Sequence, residues 1–151
     1  VQGVYEGETL NTPSMFCVAD AVDSLMWIKQ IGGLTETIRR SNENFKCLQG
    51  WVDKTPWIEN LVSDPRNRSN TSVCLKFLDE RLISLIPDEK TRFVKEFVAL
   101  LEAENAAFDI KGHRNAPPGL RIWCGATINL DDIQKLLPWL EYCFHEIISS
   151  Y

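Results

Sequence analysis

The chain has 151 residues, of which 44% are hydrophobic and 25% charged, with a net charge of −5 and a pI near 5.1. These values predict one globular domain with its own core, and no apolar run is long enough to span a bilayer. The acidic balance argues against a partner that is a nucleic acid.

Five cysteines occur without a CxxC pair, which argues against a zinc site and favours small core residues in a reducing cytosol. The first residues contain no basic region followed by an apolar stretch, so we expect no secretion signal and a cytoplasmic protein. The absence of an initial Met suggests that the sequence is a piece of a longer protein.

The first third of the chain predicts two helices after a polar, extended segment at residues 1–11. Thr12 followed by Pro13 is typical of a helix start, with Thr12 as the N-cap residue and Pro13 at the first helical position. The pair Gly32 and Gly33 should end this helix. A second helix is predicted over 35–52.

The rest of the chain predicts two further helices, beginning near Asp88 and after Asn129, and short strands over 57–62, 71–77, 108–111 and 120–124. Residues 79–86 fit no single element, and Pro138 should kink or split the last helix. The order α-α-β-β-α-β-β-α predicts an α+β fold in which helices cover a small, mostly antiparallel sheet.

Between the last two predicted strands lies a loop with the sequence GHRNAPPG, residues 112–119, which we call the proline loop. Its glycines permit unusual backbone angles, and its prolines reduce the freedom lost on binding. His113, Arg114 and the nearby Arg121 offer donors that suit carboxylate or phosphate oxygens. Two interpretations stay open: a site for a small anion, or a solvated basic turn whose arginines pair with surface carboxylates.

Four segments, in matching order, resemble the C-terminal domain of phosphoserine aminotransferases: ETLNTPSM at 8–15, WIKQIGGL at 27–34, DPRNRSNTSV at 64–73 and GHRNAPPGLRIWCG at 112–125. The resemblance implies residues 12–151 of a small domain, after an interdomain segment at 1–11, in a fold-type-I enzyme that uses pyridoxal 5'-phosphate. Such enzymes are homodimers that pass an amino group from L-glutamate to 3-phosphohydroxypyruvate and make O-phospho-L-serine.

The resemblance also implies residue roles. Arg121 would bind the substrate carboxylate, while His113 and Arg114 would hold its phosphate from one subunit of the dimer. Asn11 and Thr12 match a pair that reaches across the dimer to the cofactor phosphate, although from the residues alone Thr12 simply caps a helix.

The lysine that forms a Schiff base with the cofactor lies upstream in this family, in the large domain. No lysine of this chain matches it, and Lys111, which adjoins the proline loop, has no such role to inherit. The resemblance therefore implies no catalytic residue here and no activity of the chain alone. We expect no metal site, and no membrane or nucleic-acid partner.

Two alternatives remain open at this point. One is the small domain of a related aminotransferase for another small acid, of the alanine–glyoxylate type. The other is a non-catalytic module that binds phosphorylated metabolites or a protein.

Overall fold

A computed structural model describes residues 2–9 and 11–151. By their contacts, the residues up to Thr37 form one compact unit and Ile38–Tyr151 form another. The elements in chain order are α1 (Gln2–Tyr5), α2 (Met15–Ile31), α3 (Gly33–Val52), β1 (Ile58–Asn60), β2 (Ser72–Phe77), α4 (Glu80–Ile83), α5 (Pro87–Ala103), β3 (Leu120–Trp123) and α6 (Leu130–Ile148).

Helix α2 begins two residues later than the sequence predicted. The N-cap residue is Ser14, whose Oγ accepts a hydrogen bond from the Cys17 N–H at 3.4 Å. The prediction of Thr12 as the cap is wrong, since a residue before proline is biased towards extended backbone and Ser14 provides a hydroxyl closer to the first turn. The predicted end is confirmed: Gly32 has a φ of 117° and donates its N–H to the Ile28 and Lys29 carbonyls.

The segment before α2 also differs from its prediction. Residues 1–11 were expected to be extended, but Gln2–Tyr5 form a single helical turn, α1. No residue of α2 is buried, and its exposed side chains include those of Met15, Phe16 and Leu25.

The three strands form an antiparallel sheet in the order β1-β2-β3. Leu75 in the central strand pairs with Asn60 on one side and with Leu120 on the other. Because side chains alternate along a strand, Leu120 and Ile122 are buried, whereas Arg121 and Trp123 lie on the opposite face. The prediction of a small antiparallel sheet in an α+β fold is therefore confirmed.

The predicted strand over 108–111 is wrong. Only Lys111 pairs, through an isolated bridge to Leu120, and the Ile110 carbonyl accepts the Arg121 N–H at 2.7 Å. Asp109 has a φ of 53°, in the left-handed region, and this geometry interrupts an extended strand.

The helix boundaries on either side of α5 also need correction. Residues 79–86, for which the sequence predicts no single element, contain α4. Helix α5 begins at Pro87 and not with Asp88 as its cap; Ile86 is the N-cap residue, and its N–H donates to the Glu89 carboxylate at 3.4 Å.

The core lies between the sheet and helices α3, α5 and α6. Trp57 stacks on Phe144 with ring centroids 4.0 Å apart. The Glu141 carboxylate on α6 accepts hydrogen bonds from the Trp51 and Trp57 indole N–H groups at 2.8 and 3.3 Å, which ties α6 to α3 and to the start of β1. Helix α6 starts after Asn129 as predicted and is not split at Pro138.

The cysteines only partly follow their prediction as core residues. Cys124 and Cys143 are fully buried, whereas Cys17 is exposed. Burial raises the pKa of Cys124 to about 12 and that of Cys143 to about 11. None of the described helices has the combination of length and apolarity that crossing a membrane requires.

Candidate functional site

The backbone of the proline loop is fixed by its own hydrogen bonds and by the sheet. The Gly112 N–H donates to the Gly119 carbonyl at 2.9 Å, and the Ala116 N–H donates to the His113 carbonyl at 2.8 Å. Gly119 lies so close to β2 that an added Cβ would be 2.2 Å from the Leu75 carbonyl oxygen. Only glycine fits this approach, so the loop is seated directly on the central strand.

The three predicted ligand-binding side chains come together at this loop. His113, Arg114 and Arg121 line one open cavity of about 440 Å³, which Asp109 and Lys111 line as well. Lys111, Arg114 and Arg121 thus oppose one carboxylate, and the cavity has a net positive charge without counting His113. Such a surface attracts a small anion.

Sequence reasoning missed Asp109. The Arg121 Nη2 donates to Asp109 Oδ2 at 3.3 Å, and the Asp109 side chain is 90% exposed. An ion pair this exposed contributes little stability, but it orients the guanidinium. Because 108–111 was predicted as a strand, nothing in the sequence indicated that Asp109 turns towards Arg121.

The basic side chains of the cavity differ in whether a carboxylate forms an ion pair with them. Arg121 behaves as the solvated-turn interpretation expected, since it has a surface carboxylate as partner. For Arg114 and Lys111, no carboxylate within residues 2–9 and 11–151 lies within ion-pair distance. The cavity therefore keeps two unpaired cations, as an anion site requires.

His113 is oriented by its neighbour. Its Nδ1 accepts a hydrogen bond from the Asn115 N–H at 3.2 Å. A neutral imidazole whose Nδ1 is an acceptor carries its proton on Nε2, so Nε2 remains a donor in both the neutral and the charged form.

On the same sheet face, Arg121 lines a second cavity, of about 330 Å³, with Phe108 and Trp123. The Trp123 indole is held by a hydrogen bond from Nε1 to the Thr127 hydroxyl at 3.0 Å. Arg121, the candidate for binding a carboxylate, therefore lies between the charged cavity and a surface formed by aromatic side chains.

A buried amide supports the turn that follows β3. Asn44 on α3 is 1% exposed, and its Nδ2 donates to the Ile128 carbonyl at 2.9 Å, with the Cys124 carbonyl also within reach at 3.3 Å. The sequence did not indicate this role, because the contact joins residues far apart in the chain.

Asn11 and Thr12 belong to the other compact unit and are exposed, four and three residues before the start of α2. In the described part of the chain, neither side chain has a hydrogen-bond partner. An amide, a hydroxyl and a helix start are the kinds of donor that suit a phosphate group.

No protein-family model matches the chain. The phosphoserine aminotransferases of Methanosarcina mazei and Methanosarcina barkeri are each 42% identical to it, over 93% and 94% of its length. The chain is therefore similar to one part of the phosphoserine aminotransferases. It spans about 35% of the length of these two relatives, so it matches only one part of a phosphoserine aminotransferase.

Solved phosphoserine aminotransferases share the fold. The enzyme from Bacillus circulans subsp. alkalophilus superposes with a TM-score of 0.75 at 23% identity, over 95% of this chain and 36% of that one. The PLP-bound enzyme from Trichomonas vaginalis gives 0.73 at 22% identity, over 91% of this chain and 36% of that one. The predicted likeness to the fold of phosphoserine aminotransferases is confirmed.

Proposed function

We propose that residues 12–151 act as the C-terminal small domain of a phosphoserine aminotransferase, with residues 1–11 leading in from a large cofactor-binding domain. The complete enzyme is a cytoplasmic homodimer that transfers the amino group of L-glutamate to 3-phosphohydroxypyruvate and yields O-phospho-L-serine. The observation that carries this proposal is the meeting of His113, Arg114 and Arg121 in one positive cavity, in a chain similar to these enzymes.

The substrate carboxylate binds to Arg121. Its planar guanidinium can donate two parallel hydrogen bonds to a carboxylate, and β3 provides a rigid support for it. Asp109 holds the guanidinium from one side, so the side chain is already oriented when the substrate arrives.

The substrate phosphate binds to His113 and Arg114. Arg114 has no carboxylate partner among the described residues, and His113 presents its Nε2 donor. These residues serve the active site of a homodimer in which both subunits contribute.

The residues before α2 fit the phosphate of pyridoxal 5'-phosphate. Asn11 and Thr12 are exposed donors in the segment that leads into α2, and they bind this phosphate across the dimer. The cofactor supplies the electron sink that amino transfer needs. This chain binds and orients substrate and cofactor, and the lysine that attaches the cofactor belongs to the large domain.

The first test compares substrates. The full-length protein should aminate 3-phosphohydroxypyruvate from L-glutamate far better than it aminates glyoxylate or pyruvate. An equal or greater rate with glyoxylate would contradict the proposal and favour the alanine–glyoxylate type.

A second test uses the 151-residue chain by itself. After incubation with pyridoxal 5'-phosphate and reduction with borohydride, mass spectrometry should find no stoichiometric adduct on a single lysine. One specific, fully occupied lysine would contradict the division of roles between the two domains.

A further inference from the structure

We propose that Lys111 is a third phosphate-binding residue at the proline loop and supplies the second permanent positive charge that a phosphate dianion needs there. This inference rests on the proposed function, because it takes the phosphate to bind beside His113 and Arg114.

The backbone of Lys111 is fixed beside the loop. Lys111 forms the bridge to Leu120, and the next residue, Gly112, is bonded to Gly119. Lys111 lines the 440 Å³ cavity and also a smaller one of about 160 Å³, and His113 and Arg114 line both of them. No other lysine lines either cavity.

The charges of the cavity indicate what Lys111 adds. The charge of Arg121 is already compensated by Asp109. Near the proposed phosphate position, Arg114 is then the one guanidinium besides the Lys111 ammonium that no carboxylate among the described residues compensates. A phosphate monoester carries close to two negative charges at neutral pH, so Arg114 alone leaves about one charge unbalanced.

Two lysines outside the cavity have carboxylate partners, whereas the exposed Lys29, Lys46, Lys54 and Lys95 have none among the described residues. Lys76 pairs with Glu59 at 2.7 Å, and Lys135 pairs with Asp131 at 2.5 Å. Lys111 is exposed, and across residues 2–9 and 11–151 no carboxylate is close enough to pair with it. Its ammonium, on a flexible four-carbon stem, can therefore move to an incoming phosphate without breaking an existing ion pair.

The test is an NMR titration of the ¹⁵N-labelled 151-residue chain with methyl phosphate at pH 8 and low salt. Four proteins are compared: wild type, Lys111→Met, Lys111→Arg and Lys95→Met. Lys95 is an exposed lysine on α5 that lines neither cavity, so its variant removes the same charge at a distance. Wild type should show shifts at residues 112–121.

We expect Lys111→Met to bind methyl phosphate about tenfold more weakly, because a charge-assisted hydrogen bond is lost. Lys111→Arg should bind nearly as well as wild type, since the charge is kept, and Lys95→Met should be unchanged. A merely structural role for Lys111 would not be rescued by arginine in this way.

Two results would overturn the role of Lys111 and leave the proposed function standing: wild-type affinity in Lys111→Met, or an equal loss in Lys95→Met. Absence of any shift at residues 112–121 in the wild type would be a different failure. It would remove the phosphate site itself, and with it both this inference and the proposed role of His113 and Arg114.

Discussion

Replacing Gly119 with alanine tests whether the proline loop is seated on the sheet. The new Cβ would lie 2.2 Å from the Leu75 carbonyl oxygen and 3.3 Å from its carbonyl carbon. An ordinary C···O contact is about 3.3 Å, so loop and strand must separate by roughly 1 Å. The atoms in the way belong to the backbone of the central strand, and they cannot rotate aside as a side chain would.

The size of the effect follows from this geometry. Overpacking of this kind costs about 1–3 kcal/mol, and weakening the Gly112–Gly119 hydrogen bond adds about 1 kcal/mol. We therefore expect Gly119→Ala to lower the free energy of unfolding by about 2–4 kcal/mol.

Gly50 provides a matched control. It lies in α3, and an added Cβ would meet nothing within 4 Å, so Gly50→Ala should raise the stability by about 0.5 kcal/mol. Urea unfolding followed by circular dichroism measures both variants. A Gly119→Ala protein within about 0.5 kcal/mol of wild type would refute the close approach of loop and strand.

Three further predictions concern the framework around the site. Glu141→Gln should lower the free energy of unfolding, measured in urea, by about 1–3 kcal/mol, because the indole N–H of Trp51 or of Trp57 loses its acceptor. The same change at the exposed Glu146 should leave the free energy of unfolding almost unchanged. Asn44→Leu should cost about 1–3 kcal/mol by leaving buried carbonyls unpaired, and unchanged stability would contradict its role. Burial raises the pKa of the Cys124 thiol from 9.0 to about 12. The folded protein therefore keeps this proton more firmly than the unfolded chain, and the resulting contribution to the free energy of unfolding is complete below pH 9 and is lost as the pH rises towards 12. Stability measured from pH 8 to 11 should therefore fall less steeply in Cys124→Ala, and identical slopes would show that this thiol does not contribute.

Local patterns predicted the regular elements well. Helix α3, strands β2 and β3 and helix α6 each carry a strong period of apolar residues, and each occurs within about one or two residues of its predicted bounds. The start of α2 was misplaced because Thr12 and Ser14 are both good cap residues, and the competition between them is decided by geometry around Pro13.

The proline loop was found from its composition, but its surroundings were not. The left-handed backbone of Asp109 arises where the chain returns to pair with β3, and a sequence pattern does not show such a conformation in a non-glycine residue. The contacts of Asp109 with Arg121, of Gly119 with Leu75 and of Asn44 with Ile128 all depend on tertiary structure. For this reason the sequence located the site, whereas its electrostatics needed the structure.

The central claim is that this cavity separates phosphate recognition from carboxylate recognition. Its most direct test compares kcat/KM of the full-length protein for 3-phosphohydroxypyruvate with kcat/KM for an unphosphorylated 2-oxo acid such as pyruvate, with L-glutamate as the amino donor in both cases. Arg114→Ala should lower kcat/KM for the phosphorylated substrate by about 100-fold and leave the other nearly unchanged, whereas Arg121→Ala should lower both. Equal losses for the two substrates in Arg114→Ala would contradict the claim.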